Sequence, residues 1–299
     1  MSNKQTHLPI AHILLATMVA LVWGSNFVVI KIALAHLPPL LFAALRFTFA
    51  FLPAAFFIPR PAVPWRNLAA YGLLIGAGQF GLLYIAMKGS ISPGSASLVI
   101  QLQVFFTIAL AAHLTSERLH AFQGVALVLA AVGLALIAMH GGSDATPLGL
   151  CLTVLAALCW ASGNIVARAS GGAGMLGYVV WSSLFAIPPL IALSLVFEGR
   201  TAIAQGLSSA DATTWAAVLY QSFGNTLLGY GSWAYLLARH PAATISPFAL
   251  LVPVVGLASS ALLTGEPLQS WKLAAAGLVL SGLALNLVWA SLVRWQGSR

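Results

Sequence analysis

The sequence predicts an all-α integral membrane protein, in which ten transmembrane helices form two inverted five-helix repeats around a central cavity. Composition is the first reason, because 60% of the 299 residues are hydrophobic and only 6% are charged. A soluble domain carries about 25% charged residues, so this chain cannot build a polar surface over a core. At about 20 apolar residues per crossing, ten helices with short connections use nearly the whole chain.

An internal repeat is the second reason. The segment ALVWGSNFVVIK at residues 20–31 returns in altered form as ALCWASGNIVAR at residues 157–168. Further along, TSERL at residues 115–119 returns as TGEPL at residues 264–268. A repeat of this length in an apolar chain is typical of transporter architecture, and it predicts a site between the halves.

Each repeat is predicted to contain five helices, because a spanning segment must satisfy its own backbone hydrogen bonds in lipid. The first repeat, residues 1–142, contains predicted helices at about 10–32, 39–58, 67–87, 93–114 and 120–139. The second repeat, residues 143–299, contains predicted helices at about 147–168, 173–197, 213–238, 241–264 and 269–292. Between two of these helices, the composition of residues 198–212 predicts a surface loop.

The distribution of Lys and Arg predicts the orientation of the chain. With the N-terminus inside, the inner segments hold eight of these residues and the outer connections hold four. Because cytoplasmic loops carry the excess of Lys and Arg, both termini are predicted to be cytoplasmic. Each repeat crosses the membrane an odd number of times, so the second repeat enters from the opposite face and the repeats are inverted.

Polar side chains inside the apolar spans mark the candidate binding site, because polar groups at this depth usually face protein, water or substrate. Gln221, Asn225 and Ser232 share one face of the eighth predicted helix. The candidate substrate-binding residues are Gln79, Gln101, Gln221, Asn225, Ser25, Asn26, Asn164, Tyr71, Tyr220, Tyr230 and Arg46. The alternative for each polar side chain is a structural hydrogen bond between helices, which is worth about 0.6 kcal/mol.

Arg46 is the one charged residue well inside a predicted span. Two roles are open for it: to bind a substrate carboxylate, or to snorkel or pair with a carbonyl near the end of a tilted helix. The five acids all fall in connections or at helix ends, namely Glu117, Asp144, Glu198, Asp211 and Glu266. Proton or sodium coupling typically relies on an intramembrane Asp or Glu, so obligatory ion coupling is not predicted.

Glu117 and Glu266 occupy the same position of the two repeats, at the start of the fifth and tenth predicted helices. A carboxylate at a helix start stabilises the positive helix terminus by about 0.3–1 kcal/mol. The pair is therefore predicted to be structural rather than part of a gate.

The sequence predicts neither an enzyme nor a metal or cofactor site. It contains no HExxH, GxSxG, GxxxxGK[ST] or CxxC motif. The net charge of +8 does not indicate nucleic-acid binding, because the cations are scattered singly between apolar runs. The expected partners are a small-molecule substrate and the lipid bilayer. Nothing in the sequence requires a second subunit, so the protein can be a monomer.

The segments WGS at residues 23–25 and WAS at residues 160–162, with the TSERL and TGEPL turns, resemble those of the drug/metabolite transporter superfamily. The likeness covers both repeats. It is closest to the ten-helix exporters with two EamA domains, in particular the bacterial exporters of aromatic amino acids. The resemblance implies a basket of ten helices around a central cavity, with export from the cytoplasm across the bacterial inner membrane.

The function expected with this resemblance is export of small amphipathic metabolites, in particular aromatic and other neutral amino acids, by alternating access without obligatory ion coupling. A zwitterion with an apolar tail suits a wall of amides and aromatic rings. One alternative is efflux of lipophilic drugs or cations, for which the predicted cavity lacks an anionic residue. The other alternative is an intramembrane enzyme, for which the sequence supplies no nucleophile or metal set.

Overall fold

The computed structural model describes residues 8–115, 121–140, 142–170, 174–240 and 245–296 of the chain. Across these ranges the regular secondary structure is helical, apart from an isolated antiparallel β-bridge between Ile91 and Ala145. Seven helices in the described ranges are long and apolar enough to cross a membrane, and two further apolar helices are shorter. The predicted all-helical membrane fold is therefore confirmed, whereas the arrangement of ten helices as inverted repeats stays a prediction.

The first helices begin and end close to the predicted boundaries. They are α1 (Ile10–Leu34), α2 (Pro39–Ala55), α3 (Trp65–Met87), α4 (Pro93–Leu114) and α5 (Ala121–His140). Pro39 and Pro93 occupy the first turns of α2 and α4, where the missing amide hydrogen of proline costs nothing. α4 is interrupted at residues 100–101, between two α-helical parts.

The remaining helices include π-helical and 3-10 segments. They are α6 (Pro147–Arg168), α7 (Met175–Leu193 with a π-helical end at Ser194–Glu198), α8 (Ala212–Leu219, a π-helical segment Tyr220–Gly229 and Tyr230–Arg239), α9 (Leu251–Thr264 after a 3-10 turn at Ser246–Leu250) and α10 (Ser270–Gln296). Side chains cap two of these helices at their N-termini. Thr146 accepts a hydrogen bond from the amide of Gly149 in α6, and Asp211 accepts one from the amide of Thr214 in α8.

The prediction of a surface loop at residues 198–212 is wrong, because Gly199–Ser209 forms a helix, here called the connecting helix. Gly199 has a φ of +79°, which glycine adopts without strain, and it turns the chain out of α7. The Ala, Gln and Leu residues that follow favour a helix. Gly206 lets the connecting helix lie against Pro38, whose Cδ would be 2.6 Å from a Cβ at position 206.

Helices of one predicted repeat pack mainly against helices of the other. α1 contacts α9, α2 contacts α7, α4 contacts α6 and α5 contacts α10. Small residues allow the closest approaches, since a Cβ on Gly24 of α1 would lie 2.4 Å from the Cβ of Val255 in α9. Transmembrane helices associate through such close packing, because lipid provides little hydrophobic driving force.

Polar contacts join the ends of the helices at one end of the bundle, here called the carboxylate end. Glu198 at the end of α7 accepts hydrogen bonds from the amides of Leu40 at 2.6 Å and Leu41 at 3.1 Å, so it caps α2. Lys88 after α3 donates a hydrogen bond of 2.5 Å to the carbonyl of Leu34 at the end of α1. These contacts satisfy backbone groups that helix ends leave open.

Glu266 is the centre of a buried ion cluster at the carboxylate end. Its carboxylate accepts hydrogen bonds from the hydroxyl of Ser92 at 2.6 Å and the amide of Gly94 at 3.0 Å, in the first turn of α4. Lys272 is fully buried and forms ion pairs with Glu266 at 2.7 Å and with Asp144 at 2.9 Å. The cluster therefore joins the connections that follow α3, α5 and α9.

The helix that Glu266 stabilises is not the predicted one. The carboxylate lies against the N-terminus of α4 rather than that of α10. Gly265 explains the difference, because its φ of +66° ends α9 in the left-handed conformation and turns the chain towards α4. Glu117, the other member of the predicted pair, lies outside the described residues.

Replacing Glu266 with Gln is expected to lower the free energy of unfolding by about 3–5 kcal/mol, the usual cost of removing one partner from a buried ion pair. Asp144→Asn is the matched control, because Asp144 is 24% exposed and its loss should cost less. Thermal unfolding of the purified variants in one detergent measures the difference. Equal destabilisation by both substitutions would contradict the central position of Glu266.

The stability that Glu266 contributes should depend on pH. Burial alone would raise the pKa of Glu266, but hydrogen bonds from Lys272, two serines and the amide of Gly94 together lower the pKa below its ordinary value of 4.5. A carboxylate with a lowered folded-state pKa stabilises the fold above its unfolded pKa, and this contribution is lost as the pH falls through the folded value. The difference in melting temperature between the wild type and Glu266→Gln should therefore be constant from about pH 7 to about pH 5 and shrink only below it. A difference that already shrinks above about pH 5 would contradict the lowered pKa.

Candidate functional site

A small cavity lies halfway along α2, α3, α7 and α8. Its volume is about 10 Å³, which is room for about one water molecule. The lining residues are Arg46, Phe47, Tyr71, Gly72, Ile75, Gly76, Phe80, Val179, Ser182, Ser183, Thr226 and Tyr230. Because α2 and α3 precede residue 142 and α7 and α8 follow it, both predicted repeats contribute to the cavity.

Arg46 on α2 supplies a positive charge to this cavity, and its side chain is fully buried. Nη1 donates a hydrogen bond to the hydroxyl of Tyr84 at 2.9 Å, and Nη2 donates one to the hydroxyl of Thr226 at 3.2 Å. The guanidinium lies over the ring of Phe80, with Cζ 3.6 Å from the ring centroid, which is a cation–π contact. Arg46 therefore lies at the cavity rather than at the membrane surface.

Gln221 on α8 connects the contacts of Arg46 to α1. Its Oε1 accepts a hydrogen bond from the hydroxyl of Tyr84 at 3.3 Å and lies 3.5 Å from Nδ2 of Asn225. Its Nε2 donates to the carbonyl of Asn26 at 3.4 Å. A chain of hydrogen bonds thus runs from α2 through α3 and α8 to α1, and such a network holds Arg46 in one orientation.

Two of the helices around the cavity contain a π-helical segment at this depth, Leu73–Gly81 in α3 and Tyr220–Gly229 in α8. Hydrogen bonds in a π-helix join residues five apart, and π-helical segments are frequent at functional sites. The hydroxyl of Thr226 accordingly donates to the carbonyl of Gln221 at 2.9 Å. The wider turn places Thr226 beside Arg46.

Further along α8, Ser232 lines an open groove of about 470 Å³ between α1 and α8. The other residues of this groove are Ala11, His12, Leu15, Gly231 and Tyr235. Gln221 also contacts α1, through the carbonyl of Asn26. That Gln221, Asn225 and Ser232 share one face of α8 stays a prediction.

Close contacts between α1 and α8 separate this groove from the cavity. Trp23 packs against Tyr230 and Trp233, with ring centroids 5.4 Å and 5.3 Å away. Nearer the helix ends, Nδ1 of His12 lies 2.6 Å from Nε2 of His240. Tyr230 lines the cavity and the residues directly after it line the groove, so one turn of α8 forms the barrier.

Two glycines let α3 approach α7 beside the cavity. A Cβ on Gly72 would lie 2.1 Å from the carbonyl oxygen of Ser182, and a Cβ on Gly76 would lie 2.1 Å from the Cβ of Ala186. Their spacing is the small-xxx-small pattern of closely packed membrane helices. This approach brings Ser182 and Ser183 to the cavity.

Most of the sequence-predicted binding residues lie at or next to the cavity. Arg46, Tyr71 and Tyr230 line it, and the hydrogen-bond network beside it includes the side chains of Gln221 and Asn225 and the backbone carbonyl of Asn26. Gln79 precedes Phe80 and is buried, and its Oε1 makes no hydrogen bond within the described part of the chain. For all of these residues, contact with a substrate stays a prediction.

The other predicted residues do not line the cavity. The hydroxyls of Ser25 and Tyr220 lie 2.9 Å apart and join α1 to α8. Asn164 on α6 donates a hydrogen bond of 3.0 Å to Gln103 on α4. Gln101 is buried at the interruption of α4. For Ser25, Tyr220 and Asn164, the alternative of structural hydrogen bonds between helices accounts for these contacts.

Four polar residues at or beside the cavity are absent from the sequence-based selection, namely Ser182, Ser183, Thr226 and Tyr84. The repeat offers a signal for Ser182, because the offset that relates residues 20–31 to 157–168 takes Arg46 to the neighbouring Ser183. Thr226 follows Asn225 but needs the π-helical turn to face Arg46. Nothing in the sequence distinguishes Tyr84 from an aromatic residue that only packs.

The described residues contain no group of three or more His, Cys, Asp or Glu side chains that could hold a metal ion. Arg46 is accompanied at the cavity by hydroxyl groups, aromatic rings and aliphatic side chains. Such an arrangement can bind a small molecule with a polar and an apolar part.

Comparison with known proteins identifies the family. The model of the EamA-like transporter family matches the chain twice, over residues 10–139 and 147–288. A probable amino-acid metabolite efflux pump of Salmonella typhimurium is 46% identical over 279 residues, which cover 91% of this chain and 93% of that protein. A protein of the same name from Escherichia coli is 41% identical and covers 94% of this chain and 95% of its own length.

More distant relatives are consistent with a membrane transporter of this fold. An uncharacterized inner membrane transporter of Escherichia coli is 25% identical, over 89% of this chain and 87% of that protein. A protein of known crystal structure aligns with a TM-score of 0.66 at 18% identity, over 95% of this chain and 98% of the other, which shows a shared fold. The resemblance to the drug/metabolite transporter superfamily is confirmed: with two family matches that span most of its length, the chain belongs to the EamA-like transporter family, and it is a membrane transporter rather than an enzyme.

Proposed function

We propose that the protein exports small amphipathic metabolites, in particular aromatic and other neutral amino acids, from the cytoplasm across the bacterial inner membrane. Relatives named as probable amino-acid metabolite efflux pumps support this substrate class. A relative named as an inner membrane transporter supports the location. The structural observation that carries the proposal is a buried cavity, midway along the helices, that combines the charge of Arg46 with hydroxyl groups and aromatic rings.

Transport requires the cavity to open, because its volume of about 10 Å³ is too small for an amino acid. In our proposal, ten helices form two inverted repeats, residues 1–142 and 143–299, which move against each other so that the cavity faces each side in turn. The π-helical segments of α3 and α8 support this symmetry, because they overlap at the offset that relates residues 115–119 to residues 264–268. The same offset pairs Tyr71 with Tyr220. The groove between α1 and α8 marks a route to the cavity from one end of the bundle.

The proposed orientation has both termini in the cytoplasm. The carboxylate end then faces outwards, and the basic residues between α2 and α3, at the start of α3 and at the end of α8 face the cytoplasm, namely Arg60, Arg66 and Arg239. This distribution agrees with the excess of Lys and Arg in cytoplasmic connections. The groove that His12 and Ser232 line would accordingly open on the cytoplasmic side.

Obligatory coupling to protons or sodium is not part of the proposal. The acids that the structure describes all lie at the carboxylate end, where Glu198 and Asp211 cap helices and Asp144 and Glu266 pair with Lys272. A coupling carboxylate normally lies within the membrane and changes its protonation or ion occupancy during transport. The concentration gradient of the substrate would therefore drive its export.

The protein in liposomes is expected to move radiolabelled phenylalanine or threonine down a concentration gradient, with no proton or sodium gradient present. Protein-free liposomes measure the leak, and a cationic dye tests the competing efflux function. A strict requirement for an ion gradient would contradict the uncoupled mechanism. Movement of the dye without movement of either amino acid would replace amino-acid export by efflux of lipophilic cations.

Gln221→Leu is expected to reduce this flux by about tenfold. It removes the side chain that connects Arg46 and Tyr84 to α1, and the loss of these hydrogen bonds should cost about 1.4 kcal/mol, which corresponds to a tenfold change. Asn164→Leu is the matched control, since it removes an amide of another span that lies away from the cavity. The control should keep near wild-type flux per folded protein. Equal losses in both variants would argue that the cavity is not the transport site.

A further inference from the structure

We propose that Arg46 and Ser182 form a carboxylate-binding subsite, and that the protein recognises its substrates by a carboxylate and an apolar tail, with no requirement for an amino group. The inference rests on the proposed export function and deepens it. It defines the substrate class as small monocarboxylates, of which neutral amino acids are one kind.

The positive charge of Arg46 has no carboxylate partner among the described residues. Arg46 is fully buried in the middle of α2. The described acids all lie at the carboxylate end with partners of their own, namely Asp144, Glu198, Asp211 and Glu266. Burying an unpaired cation is costly, and neutral hydroxyl groups and the rings of Phe47 and Phe80 offset only part of that cost. A site built in this way stabilises a bound anion.

Two buried polar atoms of residues that line the cavity have no hydrogen-bond partner in the described part of the chain. They are Nε of Arg46 and Oγ of Ser182, and both are buried. Both residues line the cavity. Buried polar atoms nearly always have partners in folded proteins, so a ligand oxygen is the expected partner of these two. A carboxylate carries two acceptor oxygens and can accept from both.

The neighbours of Arg46 restrict the direction from which a ligand can bind. Nη1 and Nη2 already donate to Tyr84 and Thr226, and Phe80 covers one face of the guanidinium. The edge that carries Nε is left for a ligand. A carboxylate that binds at this edge can accept from Nε and from a second N–H group, in the bidentate geometry that arginine and carboxylates prefer.

The cavity has no comparable group for an ammonium. Its lining contains no carboxylate, although Tyr71 and Tyr230 offer rings. The ring of a tyrosine can contact either an ammonium or an apolar tail. The charge of Arg46 also repels a cation nearby. An amino group on the substrate should therefore add little to the binding affinity.

Three probes separate the contributions of the two charged groups. Phenylalanine carries both groups, 3-phenylpropanoate carries only the carboxylate, and phenylalaninamide carries only the amine. Isothermal titration calorimetry on the purified wild-type protein measures their dissociation constants and avoids the passive permeation of weak acids through membranes. The dissociation constant of 3-phenylpropanoate should lie within about threefold of that of phenylalanine, and phenylalaninamide should bind at least about tenfold more weakly.

Ser182→Ala and Ser183→Ala form a matched pair for the subsite. Both serines are buried and line the cavity, but the hydroxyl of Ser183 already donates to the carbonyl of Val179 at 2.8 Å. Ser182→Ala is expected to weaken binding of the two carboxylates by about tenfold and to leave that of phenylalaninamide unchanged. Ser183→Ala should weaken binding of the carboxylates clearly less than Ser182→Ala does, because its hydroxyl is already used within α7.

Arg46→Lys tests the geometry of the subsite separately from its charge. Lysine keeps the positive charge but cannot bind a carboxylate in the bidentate manner. The dissociation constants of both carboxylates should therefore rise by about tenfold or more, and thermal unfolding checks that the variant is folded. Unchanged carboxylate binding by folded Arg46→Lys would contradict the bidentate geometry.

The outcomes distinguish failure of the subsite from failure of the export function. Three results would overturn the subsite. They are equal binding of phenylalanine and phenylalaninamide, equal effects of the two serine variants, and failure of both phenylalanine and 3-phenylpropanoate to bind. Selective binding of carboxylates without any flux in liposomes would leave the subsite standing and overturn the export function. Equal flux of amino acid and amide would overturn the subsite while export itself stands.

Discussion

The structure depends on one constraint, that a polar group within the hydrocarbon region must find its partners inside the protein. Arg46 is fully buried on α2, and its hydrogen bonds reach Tyr84 on α3 and Thr226 on α8. Gln221 extends the network to the backbone of Asn26 on α1. The hydrogen bonds of one buried cation and its neighbours therefore connect α1, α2, α3 and α8, and the last three of these helices line the cavity together with α7.

The same constraint explains where the carboxylates lie. At the carboxylate end, Glu198 caps α2 and Glu266 lies against the first turn of α4, so each acid satisfies the start of a helix from the other predicted repeat. Lys272 then joins Glu266 to Asp144. With these acids used at one end, the described middle of the bundle carries the positive charge of Arg46 without a compensating acid, which suits an anionic group on the substrate.

Particular residues show how much of the fold and of the candidate site can be predicted from the sequence. The low charge content predicts membrane helices, because a segment in lipid must satisfy its own backbone hydrogen bonds. Prolines such as Pro39 indicate where helices begin, because proline lacks the amide hydrogen that the first turn of a helix does not need. Periodicity could not predict the π-helical turn of α8, which brings Thr226 to Arg46. The sequence also does not predict hydrogen-bond partners. Asn164 is predicted to be a cavity residue, but its side chain bonds to Gln103 of α4.

The most direct test of the central claim, that this cavity is the transport site and opens to each side in turn, is the accessibility of position 182. Ser182→Cys would be made after replacing the two native cysteines, Cys151 and Cys159, with alanine. A membrane-impermeant maleimide would then be applied to vesicles of each orientation, with and without phenylalanine. We expect labelling from both faces of the membrane, and slower labelling when phenylalanine is bound. Labelling from neither face, or a rate that phenylalanine does not change, would contradict it.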